Sequence, residues 1–254
     1  MTQRGSNILA YTPTYGERLN ILTTIPDLRG SAGCWFDWAV WAGAASPALH
    51  APLNAMLDDP NRRGIQYLQF WPENRGQHHV TAEALNLAKT LGYKWLLRLD
   101  DDIAHKTKRG LKKMVERTEE LRRLAQDAKY SVVCGPRLIG LNNPPNPEGQ
   151  IQLGQGFQAN IVSLLGGACR LHPMELLQDY APDLFLPTGR GDPQHLAVHT
   201  DKNNALLVQY PDIRMIHKTN QLEEEDSPSM KHQRHMSRYW PWLGSAAAPK
   251  EELE

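Results

Sequence analysis

The 254-residue sequence predicts an α/β fold: a mostly parallel sheet flanked by helices. Two observations point there. Strand candidates alternate with helical segments through the first half of the chain. Between two of them, "GQHHVTAEALNLAKTLGY" repeats its apolar residues with the period of a helix.

The first strand candidate is "NILAYTP", closed by Pro13. "DWAVWAG" is the second, ended by the small residues Gly43 to Ser46, and "GIQYLQFW" the third, ended by Pro72. The helix that follows sets Val80, Ala84, Leu87, Ala88 and Leu91 on one face, and Gly92 suits its end. "KWLLRLD" is a fourth strand. Next comes a basic amphipathic helix with Leu111, Met114, Val115, Thr118, Leu121, Leu124 and Ala125 facing inward. "YSVVCG", "NIVSLLGG", "NALLVQY" and "IRMIH" read as further strands, "GLNNPPNPEGQ" as a turn-rich loop, and "HPMELLQDY" as a short helix.

Net charge is zero, so no global field draws the chain to nucleic acid. Locally it is uneven. Residues 106–123 carry Lys106, Lys108, Arg109, Lys112, Lys113, Arg117, Arg122 and Arg123. "KHQRHMSRYWPW" mixes cations with aromatic rings, a pairing that can grip a membrane surface, a sugar or unstacked bases, or simply pack back on the body. No run is long and apolar enough to span a membrane, and no signal peptide is visible. Cys34, Cys134 and Cys169, odd in number and widely spaced, suit a reducing cytoplasm, or a host cytoplasm if the protein is viral.

The sharpest feature is "LRLDDDI", in which Asp100, Asp101 and Asp102 end the fourth strand. In open α/β sheets, ligands bind beyond the carboxyl ends of the strands. Crowded carboxylates repel one another, and a cation relieves the repulsion. Mg²⁺ and Mn²⁺ commonly take one or two carboxylates together with substrate phosphates. The same residues also suit an Asp-rich turn, with Asp102 capping the next helix.

Taken in order, "AYTPTYGERLN", "ENRGQHHVTAEALNLAKTLGYKWLLRLDDDI", "GGACRLHPMELL", "GRGDPQHLA" and "IRMIHKT" resemble the inverting family-2 glycosyltransferases of the GT-A fold. That fold is a Rossmann-like sheet that binds nucleotide-diphosphate sugars. The resemblance covers about residues 7–219. It implies that Asp102 and His217 bind Mn²⁺ or Mg²⁺, and that Asp192 takes the acceptor's proton. Pro13, Thr14, Tyr15, Glu17, Asn74, Arg75, Asp100 and Asp101 would lie along the nucleotide and donor, and Gly166 and Gly167 on the acceptor side. Two positions depart from the pattern. Ala42 stands where the family has an Asp that grips the base, and Gly191 replaces the Glu before Asp192.

The implied organisation is one catalytic domain over 1–225, with a donor half to about 105 and an acceptor half from about 106. A basic and aromatic extension fills 226–254. The implied activity is metal-dependent transfer of a hexosyl or pentosyl group to a hydroxyl acceptor. A modified base in DNA belongs among the acceptors, since small soluble enzymes of this general kind occur in phages. Two other readings stay open: a sugar-phosphate nucleotidyltransferase, for which "TPTYGERLN" is poor in glycine, and a non-catalytic nucleic-acid-binding module.

Overall fold

A computed structural model describes residues 6–57, 59, 64–125, 131–139, 147–163, 165, 167–179 and 205–218 (the side chains of Ala125 and His217 excepted). The extension over 226–254 lies outside them. Strands β1 (Ile8–Tyr15), β2 (Asp37–Gly43), β3 (Tyr67–Trp71) and β4 (Trp95–Leu99) form a parallel block in the order β3-β2-β1-β4. The sheet continues through β9 (Cys169–Pro173), β6 (Ser131–Ile139), β10 (Ala205–His217), β8 (Gln158–Ile161) and β7 (Gly149–Gln152). A short strand, β5 (Ile103–His105), pairs with the end of β10. Thus β4–β9, β6–β9, β10–β8, β7–β8 and β10–β5 are antiparallel, while β6–β10 is parallel.

Residues alternate between two cores because successive strand side chains point to opposite faces. On one face Ile8, Ala10, Trp38, Val40, Trp95 and Leu97 meet α1 (Ile21–Ser31), α2 (Pro47–Leu57) and α4 (Gly110–Ala125). On the other, Leu9, Tyr11, Ala39, Trp41 and Leu96 meet α3 (Gly76–Leu91). Helix α3 ends as its sequence demands: Gly92 takes φ +65°, and its N–H returns to the last turn. Arg29 of α1 binds the carbonyls of Phe36 and Gly64 and the Gln66 side chain, and lies over the rings of Trp35, Phe36 and Trp38. Its burial pushes its pKa down to about 10.

Several expectations need correction. Strand β1 runs past Pro13 to Tyr15, because its pairing with β4 has ended at Tyr11 and the missing N–H breaks nothing on that side. "NALLVQY" and "IRMIH" are one bulged strand, whose register shifts between Tyr210 and Arg214. "NIVSLLGG" is strand only to Ile161. "HPMELLQDY" starts in β9 and passes into a 3-10 turn over Met174–Leu177, since His172 and Pro173 are taken by pairing with β4. Leu124 is exposed: α4 meets the sheet with Leu111, Met114 and Leu121. Two cations of this helix serve its packing. Arg117 forms a bidentate pair with Asp212 and stacks on Phe157, and Arg122 binds Glu175 and covers Trp95.

Leu97, fully buried in β4 between β1 and β9, holds the strand that carries the acidic run. Leu97→Ala is expected to cost about 2–5 kcal/mol, read from urea unfolding monitored by circular dichroism.

Candidate active site

The acidic run begins where β4 stops, and its first two carboxylates turn to different partners. Asp100 follows the strand's alternation toward the α3 face. Its amide donates to the Ala168 carbonyl (2.9 Å), and its carboxylate lies 3.4 Å from Nη2 of Arg98, a buried cation that also binds Gln77. Gly167, one residue before Ala168, is the nearest part of the expected Gly-Gly pair; Gly166 lies outside the described residues.

Asp101 turns the other way and is almost fully buried. Thr14 Oγ1 donates to its Oδ2 at 2.7 Å, and Arg18 Nη1 to its Oδ1 at 3.0 Å. Arg18 also lies over the Tyr15 ring, 4.4 Å from its centroid. Burial raises the Asp101 pKa to about 6. Arg18 and Thr14 oppose that rise, while Asp102 and Asp100 add to it. This carboxylate therefore ties the end of β1 to the end of β4.

Asp102 is 3% exposed. The far end of the chain returns to it: His217 pairs with Ile103, and the Lys218 amide donates to the Asp102 carbonyl at 2.5 Å. Lys218 Nζ then donates to Thr23 Oγ1 and Asp27 Oδ2, both at 2.8 Å, fastening this strand end to α1.

The remaining positions follow the rim. Pro13, Thr14 and Tyr15 end β1, and Glu17 is exposed in the turn beyond. Asn74 and Arg75 precede α3: Asn74 Oδ1 accepts from the Gly76 amide, and Arg75 lies over Trp71. This loop presses on the end of β2, since a Cβ on Gly43 would stand 3.0 Å from the Asn74 Cα. Ala42, opposite Thr14, is fully buried and presents nothing to a ligand. Asp192 lies outside the described residues.

Arg18 and Lys218 were not foreseen. Arg18 sits in an ordinary-looking turn, "YGERLN", and the Lys218 contacts depend on strand pairing across more than a hundred residues. Arg98 left a signal, a lone charge inside an apolar strand. Among the described residues, no three His, Cys, Asp or Glu side chains are grouped as a metal cage.

No family model matches the sequence, and the comparison with curated proteins finds no match. Solved structures do match. The mannosyltransferase PcManGT from Pyrobaculum calidifontis, in complex with GDP-Man and Mn²⁺, is 13% identical with a TM-score of 0.60, over 98% of this chain and 66% of that one. TarS from S. aureus, residues 1–349, is 14% identical with a TM-score of 0.58, over 97% and 75%. GalNAc-T7 with UDP, GalNAc and Mn²⁺ is 11% identical with a TM-score of 0.53, over 91% and 48%. The chain thus spans about half to three quarters of the length of these structures, which are GT-A glycosyltransferases. It shares their fold.

Replacing Thr14 by Val keeps the shape of the side chain and removes the donor to a buried carboxylate. Thr14→Val is expected to cost about 1–3 kcal/mol in denaturant unfolding. In an Asp101→Asn background the loss should shrink, because the two changes share one bond.

Proposed function

We propose that this GT-A chain is a metal-dependent, inverting glycosyltransferase of the family-2 type. It would move a sugar from a nucleotide-diphosphate sugar to a hydroxyl acceptor. One observation supports this above the others: the strand ending in the acidic run is met by the last described strand, so His217 adjoins the Asp102–Ile103 peptide. The structural neighbours bound to GDP-Man or UDP with Mn²⁺ support the donor class.

The donor atoms suit a hard divalent cation. Asp101 already receives Thr14 and Arg18, so we assign the ion to Asp102 with His217, and set Asp100 beside it toward the ribose. Mg²⁺ and Mn²⁺ need few protein ligands when substrate phosphates complete the shell. When bound, the ion neutralises charge growing on the departing diphosphate.

Pro13, Thr14, Tyr15, Glu17, Asn74 and Arg75 would flank the nucleotide, with Thr14 acting through Asp101. The buried Ala42 offers no carboxylate to the base. Gly166 and Gly167 would leave room for the acceptor. The acceptor oxygen bonds to the anomeric carbon as the bond from that carbon to the diphosphate oxygen breaks. The electron pair leaves with the diphosphate, and the hydroxyl proton passes to the Asp192 carboxylate. Attack opposite the leaving group inverts the anomeric centre.

We also infer a reducing compartment, the cytoplasm, because Cys34, Cys134 and Cys169 are all free thiols. Among the described residues no helix is long and apolar enough to cross a membrane.

A thermal-shift screen of nucleotide sugars with and without Mn²⁺ tests this reading. One donor should raise Tm in a metal-dependent way. Asp102→Ala should abolish that shift. Asp192→Asn should keep it and lose transfer by about 100-fold or more. Transfer at the wild-type rate in Asp192→Asn removes the base assignment, and diphosphate release from a nucleoside triphosphate plus a sugar phosphate favours the nucleotidyltransferase instead.

A further inference from the structure

The short sheet formed by β5, β10 and β6 adjoins the acidic site and carries a second charge pattern. Ile213 and Met215 of β10 point into the core, so Arg214 points to the other face, where it is exposed. Its register partner on β6 is Arg137, also exposed. On its other side, the Lys106 amide donates to the Arg214 carbonyl just beyond β5, and Lys106 is exposed as well. Three cationic residues therefore lie side by side on neighbouring segments, whose backbones are roughly 4.8 Å apart.

Like charges set directly opposite each other on a sheet are destabilising unless an anion compensates them. None of the three makes an ion pair with a described residue. The acid two residues before Arg214, Asp212, is held by Arg117 instead. Exposed Lys108 and Arg109 continue the positive surface toward α4. The next row toward the acidic site is apolar: Ala104, Ile216 and Ile139, the last 39% exposed. Beyond it come Ile103 and His217, beside Asp102.

We propose that the row Lys106–Arg214–Arg137 docks the phosphodiester backbone of a nucleic acid, which presents the hydroxyl acceptor to the neighbouring site. The acceptor part of this inference rests on the glycosyltransferase reading above. The pattern fits such a ligand on two counts. A row of adjacent exposed cations suits a chain of phosphates, which Arg and Lys commonly contact. The apolar row on the site side gives the sugars and bases a surface to lie against while the backbone is held outside. An acidic active centre repels a polyanion, so cations displaced along the ribbon let the chain approach with its acceptor group foremost.

The test is fluorescence anisotropy with a labelled 20-mer DNA, single-stranded and duplex, from 50 to 200 mM NaCl. It compares wild-type protein with the Lys106→Ala/Arg137→Ala/Arg214→Ala variant. Each phosphate contact contributes about 0.7–0.9 to the slope of log K against log salt, so the variant should lose about 2–3 from that slope. Its affinity at 50 mM NaCl should fall roughly tenfold or more. A control removing Lys89, Lys94 and Arg123, exposed cations elsewhere on the surface, should bind like wild type. Absence of DNA binding by the wild type, an unchanged slope in the row variant, or an equal loss in the control overturns the docking site. So does binding to phosphatidylserine vesicles in place of DNA. The Mn²⁺-dependent donor shift is recorded on the same samples and should be intact in the row variant. If the wild type lacks that shift, the transferase reading fails and the acceptor role with it, whatever the oligonucleotides show.

Discussion

The site depends on one backbone pairing between distant parts of the chain. The last residues of β10 lie antiparallel to β5, and the Lys218 amide closes on the Asp102 carbonyl. Without that return, the acidic run would be a turn between β4 and the next helix. With it, the run gains a wall, a neighbouring histidine backbone and a cation fastened to α1 through Thr23 and Asp27. The cost of closing so long a loop is met cooperatively, because the same strand is paired with β6 along most of its length.

Three successive aspartates are tolerated because the fold gives each a different environment. Strand alternation separates Asp100 from Asp101, and each receives its own guanidinium: Arg98 for the first, Arg18 for the second. Asp101 joins β1 to β4, and that junction holds the end of "YTPTY" against the acidic run. The positive charge of the neutral chain is not spread evenly. Some cations neutralise acids at the site, some pack α4 on the sheet, and a further set on the β5–β10–β6 ribbon makes no ion pair with a described residue.

Much of the donor half was legible in the sequence. The first four strands, α3 and its glycine stop, and the acidic run at a strand end all follow from local signals: apolar runs, a 3.6-residue period, and turn residues in place. Helices α1 and α2 were not legible. Each contains an internal proline, Pro26 or Pro52, and their apolar stripes are weak, so tertiary packing makes them helices more than propensity does. The second half was harder still. Strand β9 is short and carries Arg170 and His172, β5 has three residues, and β10 hides a bulge that sequence reading took for a break between two strands. Within the site, residue types that suggest chemistry were visible, whereas partners such as Arg18 and Lys218 were set by pairing across the fold. The family resemblance implied a GT-A fold, and the solved structures of similar fold agree with that much.

The most direct measurement of the central claim is the electron paramagnetic resonance signal of free Mn²⁺ titrated with protein, with and without a nucleoside diphosphate. The account predicts that wild-type protein lowers the free six-line signal below that of Mn²⁺ with the same diphosphate and no protein, and that Asp102→Ala leaves it at the protein-free level. A signal that wild-type protein leaves at the level of the protein-free Mn²⁺–diphosphate mixture, with both GDP and UDP, would contradict it.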